Sequence, residues 1–169
     1  DVGGTLRASS NARVLSAKRI ATRILGLPLT AARAAHACAA AVLPRMTYGT
    51  MWSMPSRAAT RELRSKVARC VFGKASRLRC IEVVTAVLFD PVKLDPYYAA
   101  TYETFMRARR LLRKREAREV AMRRALVQIA RGDGPASRVA GPARGLVEAA
   151  MEIGAELEVF GKAAPKSLK

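Results

Sequence analysis

Aromatic side chains are scarce in this sequence: Phe, Trp and Tyr together make up 5% of 169 residues. Sheets lean on aromatic and β-branched side chains, so this scarcity, beside abundant alanine and leucine, argues against a β-sandwich and for closely packed helices. Histidine is scarcer still. His36 is the only one, and Cys38, Cys70 and Cys80 contain no CxxC pair. That spacing excludes a zinc finger or knuckle, and three scattered cysteines on helical stretches read as small buried residues of a reducing, intracellular compartment, nucleus or organelle. No apolar run reaches the ~18 residues needed to span a bilayer, so no transmembrane segment is expected. Neither GxxxxGK[ST] nor GxSxG nor HExxH occurs, and His36 has no evident carboxylate or nucleophile partner. Asp90 and Asp95 each precede a proline and read as turn and cap residues rather than a metal pair. These absences predict a chain with no catalytic centre and no cofactor.

Acidic residues are missing in a telling place, because none lies between Asp1 and Glu62. The whole chain has 31 Lys and Arg against 13 Asp and Glu, a formal charge of +18. Residues 141 to 169 hold four bases and four acids, so the first 140 carry the entire excess, 27 bases against 9 acids. Self-repulsion on this scale is relieved by an anionic partner: nucleic acid, an anionic membrane face or acidic protein surface. Arginine outnumbers lysine, and its planar fork suits phosphate. An acid-free start rich in Arg, Ala and Ser is also the composition of an organelle transit peptide. Caps and turns spread over the first 60 residues favour a folded region instead.

What is present reads as an all-α chain, a helical bundle with one long basic helix and a smaller C-terminal helix. Gly3 and Gly4 suggest a turn or the tail of a strand, and Ser9, Ser10 and Asn11 offer N-caps for a helix to about Leu25. Its inner face is Val14, Ala17, Ala21, Ile24 and Leu25, and its outer face carries Arg13, Lys18, Arg19 and Arg23. Gly26 and Pro28 stop it, and Thr30 caps an alanine-rich helix ending at Leu43-Pro44. Met46 to Met54 is a compact connection, where Tyr48 and Trp52 are expected to plug a helix junction, with stacking on bases the alternative. Ser56 opens a helix to Phe72, closed by Gly73. Leu63, Val67, Cys70 and Val71 form its inner stripe, and Arg57, Arg61, Arg64 and Arg69 its outer one.

Lys74 to Arg79 reads as a basic loop and Cys80 to Phe89 as a short helix or strand, with helix preferred. From Tyr97 to about Ala130 the pattern predicts the longest helix, with Tyr98, Tyr102, Phe105 and Met106 inside. Its basic face includes Arg107, Arg110, Arg113, Lys114 and Arg118 and meets only Glu116 and Glu119. Signs are too unevenly mixed for an ordinary solvated face, which points to anion binding through counterion release. Gly132 to Gly145 reads as a linker, Ala143 to Phe160 as a neutral helix, and Lys162 to Lys169 as a tail. The chain thus divides into 1–73, a basic helical bundle; 74–131, a basic loop and Arg-rich helix; 132–145, the linker; and 146–169, the neutral helix with a Lys-containing tail.

The order of landmarks carries a resemblance. Leu27-Pro28-Leu29-Thr30, then VLPRMTYGT at Val42 to Thr50, the Leu63-Arg64 helix, and the pairs Asp90-Pro91 and Asp95-Pro96 precede a double-arginine helix. Over residues 1 to 125 this resembles the region just after the polymerase palm in reverse transcriptases of non-LTR (LINE-like) retrotransposons. The resemblance implies a thumb-like bundle gripping a template–primer duplex, with Val2-Gly3-Gly4 as the remnant of a strand and Arg13, Lys18, Arg19 and Arg23 towards the duplex. The palm's paired aspartates have no counterpart in these residues, so polymerase activity does not carry over, and the resemblance does not extend to the neutral last helix.

The expectation is a non-catalytic module that grips the phosphate backbone of RNA or an RNA/DNA duplex with little sequence readout, and that meets protein partners through its C-terminal helix. The alternative is a domesticated structural subunit of a large assembly, such as an organellar ribonucleoprotein or membrane-bound complex. An anionic-membrane-surface role is weaker, because the basic faces lack an exposed apolar partner stripe.

Overall fold

The computed structural model describes residues 2–73, 85, 90–113, 116–131, 141–154, 158–159 and 162–163; residues 2–7, 91, 116–118, 130–131 and the last two pairs contribute backbone only. Its order is α1 (Val2–Leu25), α2 (Ala31–Ala37), a π-helical segment (Cys38–Val42), α3 (Leu43–Thr47), α4 (Arg57–Phe72), α5 (Pro91–Leu94), α6 (Pro96–Leu112), α7 (Glu116–Arg131) and α8 (Pro142–Glu152). Two antiparallel two-residue strands follow, β1 (Glu158–Val159) and β2 (Lys162–Ala163). The molecule is an all-α bundle, as the composition predicts.

Its centre is a pair of helices, α1 and α4, joined along apolar stripes. Val14, Ala17, Ala21 and Ile24 recur at helical spacing and are buried, and so are Leu63, Val67 and Val71 opposite them. Ala17 and Ala21 are wholly covered, and side chains this small let the helices approach closely. Polar contacts line the same seam: Asn11 Oδ1 accepts from the Ser56 N–H at 3.2 Å, Lys18 pairs with Glu62, and Lys66 Nζ donates to Thr22 Oγ1 at 2.8 Å. Residue numbers rise together on both sides, so α1 and α4 run parallel.

The chain between them returns through α2, which packs on both helices, and through the π segment and α3, which pack on α1. Thr30 caps α2, accepting from the Arg33 N–H at 3.5 Å. This second helical run does not end at Leu43-Pro44 but continues to Thr47. Proline has no N–H and crowds the carbonyl four residues back. The wider turn at Cys38–Val42, just before Pro44, relieves that clash and keeps the run unbroken. Cys38 is fully buried in it. Its thiol is pushed up by a hydrogen bond with Cys70 and by burial.

Four other expectations are corrected. Helix α1 begins at Val2, so Gly3 and Gly4 are helical rather than strand or turn, and Ser9, Ser10 and Asn11 lie within the helix. Glycine weakens a helix by about 1 kcal/mol relative to alanine but, unlike proline, does not block it. The expected long helix from Tyr97 is two: α6 ends at Leu112, Arg113 forms its C-cap, and α7 starts at Glu116. Neither glycine nor proline marks this break. Arg109 and Arg113 repel at four-residue spacing, within a stretch that also carries Arg110, Lys114 and Arg115. The division lets α7 contact both α6 and α8. The last helix stops at Glu152, with Ile153 as C-cap and Gly154 at positive φ, instead of running to Phe160. It starts at Pro142, so residues 142–145 of the expected linker are helical.

The expected basic loop at 74–79, Cys80 to Phe89 apart from buried Thr85, and residues 132–140 lie outside the described residues.

Helix α8 is not an appendage. Ala143, Leu146, Ala149 and Ala150 are buried, and α8 packs on α6. A Cβ on Gly145 would stand 2.1 Å from the Met51 carbonyl oxygen, so only glycine allows the α8 backbone to lie on the turn after α3.

Candidate nucleic-acid interface

The sequence-predicted cations divide into three groups by position. The first follows the α1–α4 seam. Arg19 and Arg23 are exposed on α1, and Arg61 and Arg69 on α4. Lys18 is occupied by Glu62 across the seam, and this pairing holds the Glu62 carboxyl below its ordinary value. Lys66, which the sequence reading omitted, reaches Thr22 beside it. Because α1 and α4 run parallel, Arg23 and Arg69 occupy the last turns of both helices at one end of the bundle. Two helix C-termini concentrate partial negative charge there, which favours cations at this end even without a ligand. Glu62 and Lys66, four residues apart on α4, are the sequence signal for the seam, legible once α1 is known to be the partner.

A second group is engaged by neighbouring side chains. Arg64 is half-buried, its Nε 2.8 Å from Oδ2 of Asp95, a carboxylate with no exposed surface. Arg57 lies 3.7 Å from Glu152 but remains 71% exposed, a loose surface pair. Arg13 donates to Ser9 Oγ at 3.0 Å and lies against Gly49, while its Nε is buried without a hydrogen-bond partner. Burial draws the Arg13 guanidinium below its ordinary value, and nearby Tyr48 opposes this.

The third group is at the C-terminal end of α6. Arg107 pairs with Glu103 one turn back at 3.2 Å, and Arg110 and Arg113 are exposed. Lys114 lies outside the described residues, and for Arg118 only the α7 backbone is described. Helix α6 crosses α4 in the opposite sense: Asp95 meets Arg64, while Thr104 meets Met54, ahead of the α4 start. Its arginines therefore lie beyond the N-terminal end of α4, and Arg69 lies towards the other end. Ser56 to Arg69 alone spans about 20 Å of helix. The exposed cations of α1 and α4 lie along these two helices, and the α6 cations form a separate patch.

The connection after α3 carries a feature the charge pattern did not rank. Tyr48 and Trp52 are 70% and 54% exposed. They do not plug the junction beneath them, which Met46, Thr47, Thr50 and Met51 already fill. Arg45, exposed at the end of α3, donates to Ser16 Oγ on α1 at 3.1 Å and brings a further cation to this turn.

His36 is exposed on α2. Among the described residues, no three His, Cys, Asp or Glu gather as a metal site, and no helix is long and apolar enough to cross a membrane. A cleft of about 210 Å³ between α4, α6 and α8 is lined by Arg57, Tyr97, Glu148 and Glu152 with Met54 and Met151. Its polar groups are already engaged with one another or with neighbours: Tyr97 donates to Glu152, and Arg144 donates to Glu148 at 3.0 Å. No family model, curated protein or solved structure matches this chain.

Proposed function

We propose that the protein is a non-catalytic, nucleic-acid-binding helical module that grips the phosphate backbone of RNA or an RNA/DNA duplex with little sequence readout. The carrying observation is the parallel α1–α4 pair, along which Arg19, Arg23, Arg61 and Arg69 are each exposed, with Lys18 occupied by Glu62 across the seam. Helical cations on a rigid double support suit a backbone of regularly spaced phosphates, and no described element matches a groove-reading motif. The thumb of non-LTR reverse transcriptases remains the proposed likeness for residues 1–125, with the helical α1 start set against it.

The test is binding to RNA and RNA/DNA duplexes across a salt series. Four seam arginines engaging four phosphates give a slope of log K against log salt of about −3.6, at roughly −0.9 per phosphate. Replacing Arg19, Arg23 and Arg69 together with alanine lowers the slope by about 2.7. An affinity flat between low and moderate salt rejects the reading.

A second reading, a structural subunit of a larger assembly, is favoured by Tyr98 and Tyr102. Contrary to the inner face expected for them, they stand one turn apart on α6, 39% and 44% exposed. It predicts that the purified chain is not a monomer by itself.

A further inference from the structure

The exposed rings of Tyr48 and Trp52 need an explanation that packing does not supply. Large aromatics between two helices ordinarily fill the junction, because their burial is worth more than that of any other side chain there. Here that space is closed by Met46, Thr47, Thr50 and Met51, each 5% exposed or less. The turn is also held in shape. Gly49 adopts φ 76°, where side chains are disfavoured, and a Cβ there would stand 3.4 Å from the Arg13 guanidinium. The Trp52 N–H donates to the Gly49 carbonyl at 3.0 Å, and the Trp52 ring flanks Gly141. So both rings face outwards from a rigid support. Arg13 lies against the turn and Arg45 stands at the end of α3 next to it, and no acidic residue occurs from Val2 to Arg61.

We propose that Tyr48 and Trp52 form a stacking platform for unpaired bases of a single-stranded nucleic acid, with Arg13 and Arg45 meeting its phosphates. This deepens the nucleic-acid reading and rests on it, but it concerns a different face from the α1–α4 seam. Aromatic faces accept every base and cations alongside them track the backbone, so the platform holds a strand without reading its sequence. A duplex hides the base faces and gains nothing from the rings. An anionic membrane is the less suitable occupant: two rings on a tight turn offer no continuous apolar stripe to insert.

Trp52 is the sole tryptophan of the chain, so its emission reports on this turn alone. The full chain is titrated with a fluorescently labelled oligouridine and with an RNA duplex of equal length, following label anisotropy for binding and Trp52 emission for stacking. Oligouridine should quench Trp52 and the duplex should not. Tyr48→Ala should weaken oligouridine binding about five- to tenfold, Tyr48→Phe should restore it, and duplex affinity should stay within twofold of the parent. Tyr48 is so exposed that the alanine variant keeps the fold, which circular dichroism verifies. If saturating oligouridine leaves Trp52 emission unchanged, or Tyr48→Ala weakens both ligands equally, the platform is overturned while the seam reading stands. If neither ligand binds, both fall. A blue shift with anionic phosphatidylserine vesicles but no quenching by oligouridine assigns the rings to a membrane surface and overturns the platform.

Discussion

At Asp95 the two carboxylate oxygens take different partners. Oδ2 receives the Arg64 side chain and Oδ1 accepts the Tyr97 N–H at 3.0 Å, capping α6. The carboxylate is fully buried, so losing either contact is costlier than at the surface. Breaking a buried ion pair costs about 3–5 kcal/mol, and losing a cap costs about 1 kcal/mol. Asp95→Ala therefore lowers stability more than Asp95→Asn, which keeps the cap acceptor while losing the charge and the oxygen that faces Arg64. Urea unfolding of the two variants checks the order, and equal losses contradict it. Tyr97, the residue whose N–H is capped, carries a second test. Burial, followed by its hydrogen bond to Glu152, raises its phenol above the ordinary value. A raised value means the native state favours the neutral phenol. That stability is complete below the unfolded value of about 10 and is lost as pH rises through the higher folded value. Unfolding free energies measured between pH 8 and 11 should fall for the parent and fall less steeply for Tyr97→Phe.

Among the elements, α8 is the one whose packing position the sequence does not show. Its four-residue acid spacing was legible as a neutral helix, but its destination was not. Nothing local indicates that Gly145 must lie on the Met51 carbonyl, because that requirement arises from a contact across most of the chain. Gly145→Ala, which elsewhere in a helix would help by about 1 kcal/mol, should here destabilise α8 docking. Limited proteolysis near residue 141, faster in the variant than in the parent, is the measurement; equal rates refute the close approach. The helices with clean caps were legible in sequence: Thr30, Ser56 and Asp95 all cap as read, and Phe72-Gly73 closes α4. The break at Arg113 and the passage through Pro44 were not, since charge repulsion and a π-helical turn leave no breaker or cap in the sequence. Among the candidate cations, exposure was readable from helical period for Arg19, Arg23, Arg61 and Arg69. Arg64 shares their spacing and turns inward only because Asp95 waits there.

For the whole molecule, +18 is not spread evenly over one face. Among the described residues, exposed arginines stand at Arg23 and Arg69 and again at Arg110 and Arg113, towards opposite ends of the bundle. A duplex lying on the seam leaves the α6 patch for a second segment of the same nucleic acid, and shortening the RNA should then lower the salt slope in steps rather than smoothly.

The parallel seam has a consequence for how the chain acquires its structure. Neighbouring helices joined by short turns run antiparallel and find each other early. Here Lys18 and Thr22 wait for partners 44 residues further on. Closing so long a segment before any seam contact forms raises the contact order and slows folding relative to an up-and-down bundle of equal length. During synthesis at ~5–20 residues per second, the stripe of Val14, Ala17 and Ala21 emerges roughly 2–10 s before α4 is complete. For those seconds a bare apolar stripe and a dense cationic surface share the same nascent helix, so an early-arriving polyanion would meet α1 before its helical partner does.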